Sequence, residues 1–347
     1  MVSLKDIAQR CGVSVATVSK ALNGQRDIGE ATRERICRVA DEMGYMPNSA
    51  ARALKTHRTY NLGVLFVDEQ HKGLAHEYFS HMLESFKAEA EAHGYDITFI
   101  NNSVGGRTTS YLKHCKYRGV DGVLIACVNF NHPQVLELVG SDVPVVTVDH
   151  TFNNRMAVLS DNVAGVSALV HHIYNKGHRR IAFIHGEMTS VTENRLASFF
   201  KSCEELGIEV PEEYVRAGVF YNMESCAEIT RELLALPKPP TCIMFQDDFS
   251  AMGGYQCIAE AGLRIPEDIS VVGYDGITLS RFMMPGLTTY CQDNTAIGRI
   301  AADRLISLIE HPRTTLPDRV MVPGQIVIRD SVQEVQKTEE DVKSGKR

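Results

Sequence analysis

The run from Gly12 to Lys20, Gly-Val-Ser-Val-Ala-Thr-Val-Ser-Lys, constrains the front of the chain because a helix stop and a helix start lie three residues apart. Gly12 can adopt the left-handed conformation that ends a helix. Ser14 can cap the next helix by accepting a bond from a free backbone N–H. Before this run, Ser3 and Asp6 have the spacing of a capping box. The pattern predicts two short helices joined by a tight turn.

The second of these helices has an apolar face and a face of small side chains. Val18, Ala21 and Leu22 recur at positions i, i+3 and i+4, so they are expected to face inward. A capped helix start attracts phosphate, small side chains permit close approach, and apolar ones can contact a thymine methyl group. The side chains left on the outer face are Val15, Ala16, Ser19 and Lys20. This surface suits a reader of the DNA major groove, while a three-helix bundle without a DNA-binding role would show the same periodicity.

A third predicted helix closes the bundle and ends at Gly44. Seven short motifs lie in this part of the chain: Lys5-Asp6-Ile7-Ala8, Gly12-Val13-Ser14, Thr17-Val18-Ser19, Leu22-Asn23, Thr32-Arg33, Gly44-Tyr45-Met46-Pro47-Asn48 and Ala51-Arg52-Ala53-Leu54. With these motifs the chain resembles the lactose/galactose repressor (LacI/GalR) family of transcriptional regulators. The resemblance extends over nearly the whole chain.

The resemblance implies how DNA is contacted. In that family the second helix reads the operator, and the segment after the proline is a hinge helix that folds only on DNA. Val15, Ala16 and Lys20 would then read bases, and Leu54 would be wedged into the minor groove. The residues expected to contact DNA are Ser14, Val15, Ala16, Thr17, Ser19, Lys20, Asn23, Asn48, Ala51, Arg52, Leu54 and Lys55.

Elementary physics agrees with a hinge that depends on DNA. The segment from Asn48 to Thr56 spans about two turns, which is too short for a stable helix in water. An apolar wedge unstacks a base step at a cost of roughly a few kcal/mol, offset by the contacts that a bent duplex permits. Lys55 and Arg58 are placed to contact phosphate. We therefore expect the hinge to be disordered without operator.

Charge is distributed unevenly along the chain. Residues 1–60 hold ten basic and six acidic residues, whereas the remaining residues hold 26 basic and 37 acidic ones. A basic head on an acidic body predicts that DNA contact is restricted to one end.

Several functional classes are disfavoured by the composition. Nine cysteines without a C-x-x-C pair indicate reduced thiols in the cytoplasm, with neither a disulfide framework nor a zinc site. His76, Glu77 and His81 look like a metal motif, but the spacing of five puts the two imidazoles about 140° apart on a helix. There is no signal peptide and no apolar run of membrane-spanning length. No phosphate loop, nucleophile elbow or catalytic triad spacing occurs, so we expect no enzyme, no cofactor, no metal and no membrane partner.

From Tyr60 onward, short apolar runs alternate with longer amphipathic runs. The apolar runs are Leu62–Val67, Ile97–Asn101, Gly122–Cys127, Val143–Val148, Ile181–His185, Thr241–Phe245 and Ile269–Tyr274. The amphipathic runs include Tyr78–His93, Ala164–Asn175, Arg195–Leu206, Cys226–Leu236, Ser250–Ala261 and Ile297–Ile309. This alternation predicts parallel sheets covered on both faces, and its length predicts two doubly wound α/β lobes that change over near Asp161.

The resemblance adds the domain organisation. It implies a helix-turn-helix domain at 1–46, a hinge and linker at 47–60, and an effector-binding and dimerisation domain at 61–332 that resembles periplasmic binding proteins. Three crossings would put 61–160 and 291–320 in the first lobe, and 161–290 and 321–332 in the second. The charged run 333–347 predicts a disordered tail. Because it lacks the leucine heptad by which some family members form tetramers, we expect a homodimer.

Polar residues that follow the apolar runs are candidates for a ligand site, because open α/β sheets bind ligands beyond the carboxyl ends of their strands. Asp149, Asp247 and Asp275 follow three such runs, and Arg195 is predicted to open a helix. Carboxylates and a guanidinium suit a polyhydroxylated ligand, with an aromatic ring over one face. Aspartate after a strand also commonly caps the next helix, and Asp161 and Asp248 are predicted to do so.

Family motifs sharpen the assignment. Arg195-Leu196-Ala197 resembles an Arg-Leu-Ala-Gly motif whose arginine holds the effector, and Gly273-Tyr274-Asp275 matches a motif whose aspartate binds it. Asp247 replaces an asparagine of the family. The loop from Asp68 to Phe79 is longer by about five residues and lacks the family's proline. Tyr78 or Phe79 can supply the stacking ring, and a role in the core for one of them is an equal alternative. The expected effector-binding residues are Phe79, Asp149, Arg195, Asp247 and Asp275.

Together, these patterns and the family resemblance imply a cytoplasmic regulator, most simply a repressor. It would bind a palindromic double-stranded operator under the control of a small ligand, a sugar or sugar phosphate. Two alternatives stay open: a catabolite-control regulator with a phosphoprotein co-effector, and a sugar-binding receptor.

Overall fold

The computed structural model of the 347-residue chain describes residues 2–22, 24–25, 27–46, 58–67 and 73–335. The chain divides into two compact units, one ending at Thr59 and the other beginning at Tyr60. Where it is described, the first unit is helical, and the second alternates strands with helices. The predicted combination of a helical head and an α/β body is confirmed.

The first unit contains the predicted three helices. They are α1 Leu4–Cys11, α2 Val15–Leu22 and α3 Glu30–Glu42. The capping box is formed, because the Asp6 N–H donates to the Ser3 side chain and the Ser3 N–H donates to the Asp6 carboxylate. At the other end of α1, Gly12 has a φ of 63° and stops the helix. The buried core consists of Ile7, Ala8, Cys11, Val18, Ala21, Ile36 and Ala40.

The second unit contains fourteen strands within the described residues. In chain order they are β1 Asn61–Phe66, β2 Asp96–Ile100, β3 Ser103–Val104, β4 Arg107–Thr108, β5 Gly122–Ala126, β6 Val145–Val148, β7 Met156–Ser160, β8 Ile181–His185, β9 Val215–Ala217, β10 Cys242–Phe245, β11 Ser270–Asp275, β12 Thr288–Cys291, β13 Arg319–Val322 and β14 Gln325–Val327. Its α-helices are α4 Glu77–Ala92, α5 Tyr111–Arg118, α6 Pro133–Val139, α7 Asn162–Asn175, α8 Ser190–Glu205, α9 Met223–Leu234, α10 Asp248–Glu260 and α11 Asn294–Glu310. Three 3-10 turns span Gly73–Ala75, Glu212–Tyr214 and Thr278–Arg281.

The larger strands form two six-stranded sheets. The first has the order β2-β1-β5-β6-β7-β13, and all its neighbours are parallel. The second has the order β9-β8-β10-β11-β12-β14, in which only β14 is antiparallel to its neighbour. The chain crosses between the sheets after β7, after β12 and after β13. We call the two halves the first lobe and the second lobe.

Each of the seven predicted apolar runs overlaps a strand, and each of the six predicted amphipathic runs overlaps a helix. The apolar core of the first lobe includes Leu62, Val64 and Phe86 together with Ile297 and Leu305 of the late helix α11. α11 approaches α4 closely at Gly298, where a Cβ atom would lie 2.1 Å from the Met82 carbonyl oxygen. In the described part of the chain, no helix combines the length and apolar character that crossing a membrane requires.

The end of the described chain is bonded to the second lobe. The Gln333 N–H donates to Ser270 Oγ at 3.2 Å. The Val335 N–H donates to the Lys176 carbonyl oxygen at 2.8 Å. The predicted tail, 333–347, therefore starts with three residues that belong to the folded body, and the remainder, 336–347, lies outside the described residues.

Candidate functional site

The start of α2 has the predicted cap. The Thr17 N–H donates to Ser14 Oγ at 3.0 Å, and the two hydroxyl groups are 2.8 Å apart. Val18 and Ala21 are buried against the rest of the bundle, as the helical spacing predicts. The cap fixes the start of α2, and the burial of Val18 and Ala21 turns the opposite face of the helix outward.

Val15, Ala16 and Lys20 are exposed on that outer face, whereas Ser19 is half-buried. The Lys20 ammonium forms an ion pair with the Asp27 carboxylate, and the bond from Lys20 lowers the pKa of Asp27. Because exposed ion pairs are weak, little opposes the exchange of Asp27 for a base edge or a phosphate. The face thus offers an apolar patch beside one available ammonium group.

The remaining residues expected to contact DNA lie outside the described residues, and their roles stay predictions. They are Asn23, Asn48, Ala51, Arg52, Leu54 and Lys55.

In the body, hydrogen bonds join the two lobes at the carboxyl ends of their strands. Ser190 Oγ of the second lobe donates to the Asp149 carbonyl oxygen of the first lobe at 2.9 Å. The Thr278 N–H of the second lobe donates to Glu77 Oε1 of the first lobe at 2.6 Å. Because ligands of open α/β sheets bind at these ends, the closed boundary between the lobes is the candidate effector cleft.

Arg195 does not open its helix. α8 begins at Ser190, since the Thr189 side chain caps it by accepting a bond from the Thr192 N–H. Arg195 consequently lies in the second turn, and the predicted helix start at Arg195 is wrong by five residues. With this position in the helix, the Arg195 guanidinium contacts Asn162, Gln246 and Tyr274 of the second lobe.

The Arg195 guanidinium is buried and bonded within the protein, with 4% of the residue exposed. Its Nε donates to Asn162 Oδ1 at 2.7 Å, and its Nη1 donates to the Gln246 carbonyl oxygen at 2.8 Å. The guanidinium carbon lies 3.6 Å from the centre of the Tyr274 ring. This arrangement fixes a positive charge beside the carboxylates of the cleft: burial raises the pKa of both Asp247 and Asp275, and the Arg195 charge opposes that rise.

Of the two aspartates after β10, the first and not the second caps the following helix. Asp247 caps α10, because its Oδ1 accepts from the Ser250 N–H at 2.6 Å. The predicted cap at Asp248 is wrong, since Asp248 is the first residue inside the helix. Asp248 accepts from the Ile277 N–H at 2.9 Å and from the Thr289 hydroxyl at 2.6 Å. Burial raises the pKa of Asp248 well above its ordinary value.

Asp161 caps α7 as predicted, by accepting from the Ala164 N–H. The carboxylate of Asp247 has a second task as well, because its Oδ2 accepts from the Tyr221 N–H at 3.0 Å. Its cap and this bond tie Asp247 into the wall of the cleft.

Asp149 and Asp275 lie at the carboxyl ends of β6 and β11, one in each lobe. The Tyr78 hydroxyl donates to Asp149 Oδ2 at 2.7 Å, and the Gln292 amide donates to Asp275 Oδ1 at 2.7 Å. The φ angles of Asp149 and Asp275 are 55° and 103°, in the left-handed region that few non-glycine residues adopt. Burial raises the pKa of Asp275 to about 7.

The predicted ring Phe79 packs against the core of the first lobe, whereas a different ring, Tyr221, bridges the two lobes. Phe79 is half-buried and packs edge-on against Phe66, with ring centres 5.2 Å apart. Tyr221, which the sequence did not single out, is stacked between His76 of the first lobe at 4.1 Å and Phe249 of the second lobe at 3.9 Å. A ligand that stacks on Tyr221 therefore has to replace one of these two rings.

Among the described residues, no three His, Cys, Asp or Glu side chains are grouped in a way that could hold a metal ion. The cleft instead combines carboxylates, one buried guanidinium, amides and aromatic rings. These groups can bind an organic ligand through hydrogen bonds, charge and stacking.

Comparison with known proteins covers both units. A family profile described as bacterial regulatory proteins, lacI family, matches residues 3–48, and one described as a periplasmic binding protein-like domain matches residues 170–332. The ribose operon repressor of Haemophilus influenzae is 30% identical over 338 residues, which cover 96% of this chain and 99% of that protein. The transcriptional repressor PurR of Escherichia coli is 30% identical over 339 residues, covering 96% and 97%. A crystal structure of the lac repressor dimer bound to operator and an anti-inducer has a TM-score of 0.79 at 27% identity, covering 96% and 99%.

Proposed function

Since the chain belongs to the LacI family of bacterial regulatory proteins, it is a DNA-binding transcriptional regulator controlled by a small ligand, and we propose that it is a homodimeric repressor. In this proposal its operator is palindromic, and a carbohydrate either releases the protein from the operator or makes it bind. The lac repressor structure to which the chain is similar is a dimer on operator. A protein with this task works in the bacterial cytoplasm, where the DNA is.

The observation that carries the ligand part of the proposal is the boundary between the lobes. Asp149 of the first lobe and Asp275 of the second lie at strand ends, with the buried Arg195 guanidinium beside the Asp275 carboxylate. Each carboxylate can accept from vicinal hydroxyl groups, which is the pattern of a sugar. In this proposal the effector contacts Phe79, Asp149, Arg195, Asp247 and Asp275, and Tyr221 provides a further stacking ring.

The hydrogen bonds between the two lobes give a ligand a way to control whether the cleft is open or closed. A ligand stabilises the closed state of the cleft only to the extent that it binds the closed state more tightly than the open state. The coupling is reciprocal, so a ligand that weakens operator binding is itself bound more weakly by the operator complex.

The proposal is tested by selecting operator fragments from genomic DNA with the purified protein and then titrating the complex with a panel of sugars and sugar phosphates. We expect a palindromic site whose affinity falls steeply with salt, with a slope of roughly −0.9 per neutralised phosphate. Release or tightening by one sugar supports the proposal. A response only to a phosphorylated protein would favour the catabolite-control alternative, and failure to select any DNA would favour a receptor.

Replacing Lys20 by alanine is expected to change which operator sequences are selected, because its ammonium lies on the exposed face of α2. Loss of a base contact relaxes discrimination at that position by about 1–3 kcal/mol. Lys201, exposed on α8 of the body, provides the control Lys201→Ala. The measurement is selection of binding sites from a random DNA pool by each variant. An unchanged base preference of Lys20→Ala at every position would contradict the assignment of Lys20 as a base reader.

A further inference from the structure

A cavity of about 160 Å³ lies at the boundary of the two lobes, next to Asp275. Its wall comes from the first turns of α4, from the end of β11 and from the segment that leads from β12 into α11. The side chains in it that carry charge or polar groups include Glu77, His81, Asp275, Gln292, Asp293 and Asn294. Among the described residues that line this cavity there is no lysine or arginine.

Two amide oxygens in this wall are buried acceptors without a donor. Gln292 is 7% exposed, and its amide nitrogen already donates to Asp275 Oδ1 at 2.7 Å. The same amide therefore turns its Oε1 away from Asp275, where it has no hydrogen-bond partner. Asn294 Oδ1 is also buried without a partner. Native proteins rarely leave such acceptors unpaired, so each oxygen needs a donor from a water molecule or from a ligand.

The charged side chains around Asp275 are also mainly negative. Asp149 and Asp247 raise the pKa of Asp275 further, whereas Arg195 opposes this effect. Arg195 is already bonded to Asn162 and Gln246, so its Nε and Nη1 are not available to a ligand. Buried carboxylates in such a setting are stabilised by a positive partner. A phosphate or carboxylate on the ligand would instead meet further acceptors of like charge.

We propose that the effector carries a protonated amine and that this amine lies in the cavity, against Glu77, Asp275 and the Gln292 amide oxygen. This inference rests on the proposed function, because it names the chemical class of the ligand in the same cleft. An ammonium group supplies three donors and no acceptor, which matches a wall of acceptors better than a neutral hydroxyl group does. The described residues do not provide three ligands for a metal ion, so an organic cation fits the wall better than a metal. An amino sugar combines the ammonium group with the hydroxyl groups that suit Asp149.

The test compares pairs of probes in which a neutral hydroxyl or hydroxymethyl group replaces the amine. Glucosamine, galactosamine and mannosamine are set against glucose, galactose and mannose, and tris(hydroxymethyl)aminomethane is set against pentaerythritol. Binding to the full-length protein is measured by calorimetry and by thermal unfolding at pH 7 and constant ionic strength. We expect the amine of at least one pair to bind at least tenfold more tightly than its neutral partner. Equal binding within every pair, including no binding by either member, overturns the proposal.

Variants then locate the amine. Glu77→Gln keeps the acceptor for the Thr278 N–H but removes one charge, and Gln292→Leu removes the unpaired oxygen. Each is expected to reduce the preference for the amine at least fivefold, so the result does not depend on the folding of one variant. Glu204→Gln, on the exposed face of α8, is the control and should keep the full preference. A preference unchanged in both cavity variants would overturn the assigned position.

Operator binding by the same preparation separates this inference from the proposed function. If the protein selects an operator and only a neutral sugar or a sugar phosphate releases it, the proposed function stands and the amine proposal fails. If an amine binds through Glu77 and Gln292 but no DNA is selected, the amine proposal stands and the proposed function fails.

Discussion

Replacing Arg195 by methionine is expected to lower the free energy of unfolding of the body by about 3–5 kcal/mol and to abolish the response of operator binding to effector. The guanidinium is buried, and it is the positive charge beside Asp247 and Asp275. Because methionine keeps most of the side-chain length, the loss of stability measures the contribution of the charge and hydrogen bonds rather than the effect of a large cavity. The Asn162 side-chain oxygen and the Gln246 carbonyl oxygen would both lose a donor.

Arg179 offers a matched control in the same lobe. Its guanidinium carbon lies 3.7 Å from the centre of the Tyr174 ring, nearly the distance of the Arg195 contact, but the residue is exposed. Arg179→Met is expected to cost about 1 kcal/mol or less, because the side chain is exposed and water competes with its cation–π contact and with its bonds to the Tyr174 and His178 carbonyl oxygens. Urea denaturation of both variants measures the difference. Equal losses would show that burial beside the carboxylates adds nothing to the contribution of Arg195.

The parts of the fold that the sequence predicted are those in which burial and apolar composition coincide. Ile181–His185 was predicted with its observed bounds, since a central parallel strand is covered on both faces and forms a continuous apolar run. β12 was not predicted, although Thr288 and Thr289 are fully buried in it. Their hydroxyl groups bond to the Arg329 carbonyl oxygen and to Asp248, and these partners come from distant parts of the chain. A rule based on apolar runs cannot recognise polar residues that are buried with such partners.

The candidate site was predicted where strand ends could be recognised. Asp149 and Asp275 follow buried apolar strands, so their position at the edge of a sheet follows from the sequence. Tyr221 follows β9, a strand of three residues that is too short and too exposed to stand out, and the same rule therefore missed it. The choice between Asp247 and Asp248 as a cap depends on an extended backbone at Asp247, with a φ of −154°, which residue type alone does not determine.

Replacing Asp275 by asparagine is expected to stabilise the ligand-free body at neutral pH while abolishing the effector response. Burial raises the pKa of Asp275 from its ordinary value of 3.8 to about 7. Between these values the folded state binds the proton more tightly than the unfolded state does. Stability therefore falls as the pH rises from about 4 to 7, and the full loss, up to ~4 kcal/mol, is present above pH 7. Asparagine stays neutral and keeps an acceptor for the Gln292 amide, so it avoids this loss.

The pH dependence distinguishes this mechanism from a general improvement in packing. The gain in Asp275→Asn should be largest at pH 8 and should disappear near pH 4, whereas Asp303→Asn, on the exposed face of α11, should show no such trend. Urea denaturation at four pH values between 4 and 8 provides the measurement. A gain that is the same at every pH would mean that titration of Asp275 does not limit stability. If Asp275→Asn is more stable at pH 8 and still responds to the effector, the ligand does not contact Asp275. Our explanation for a carboxylate that stays ionised at a cost to stability is a ligand that needs its charge.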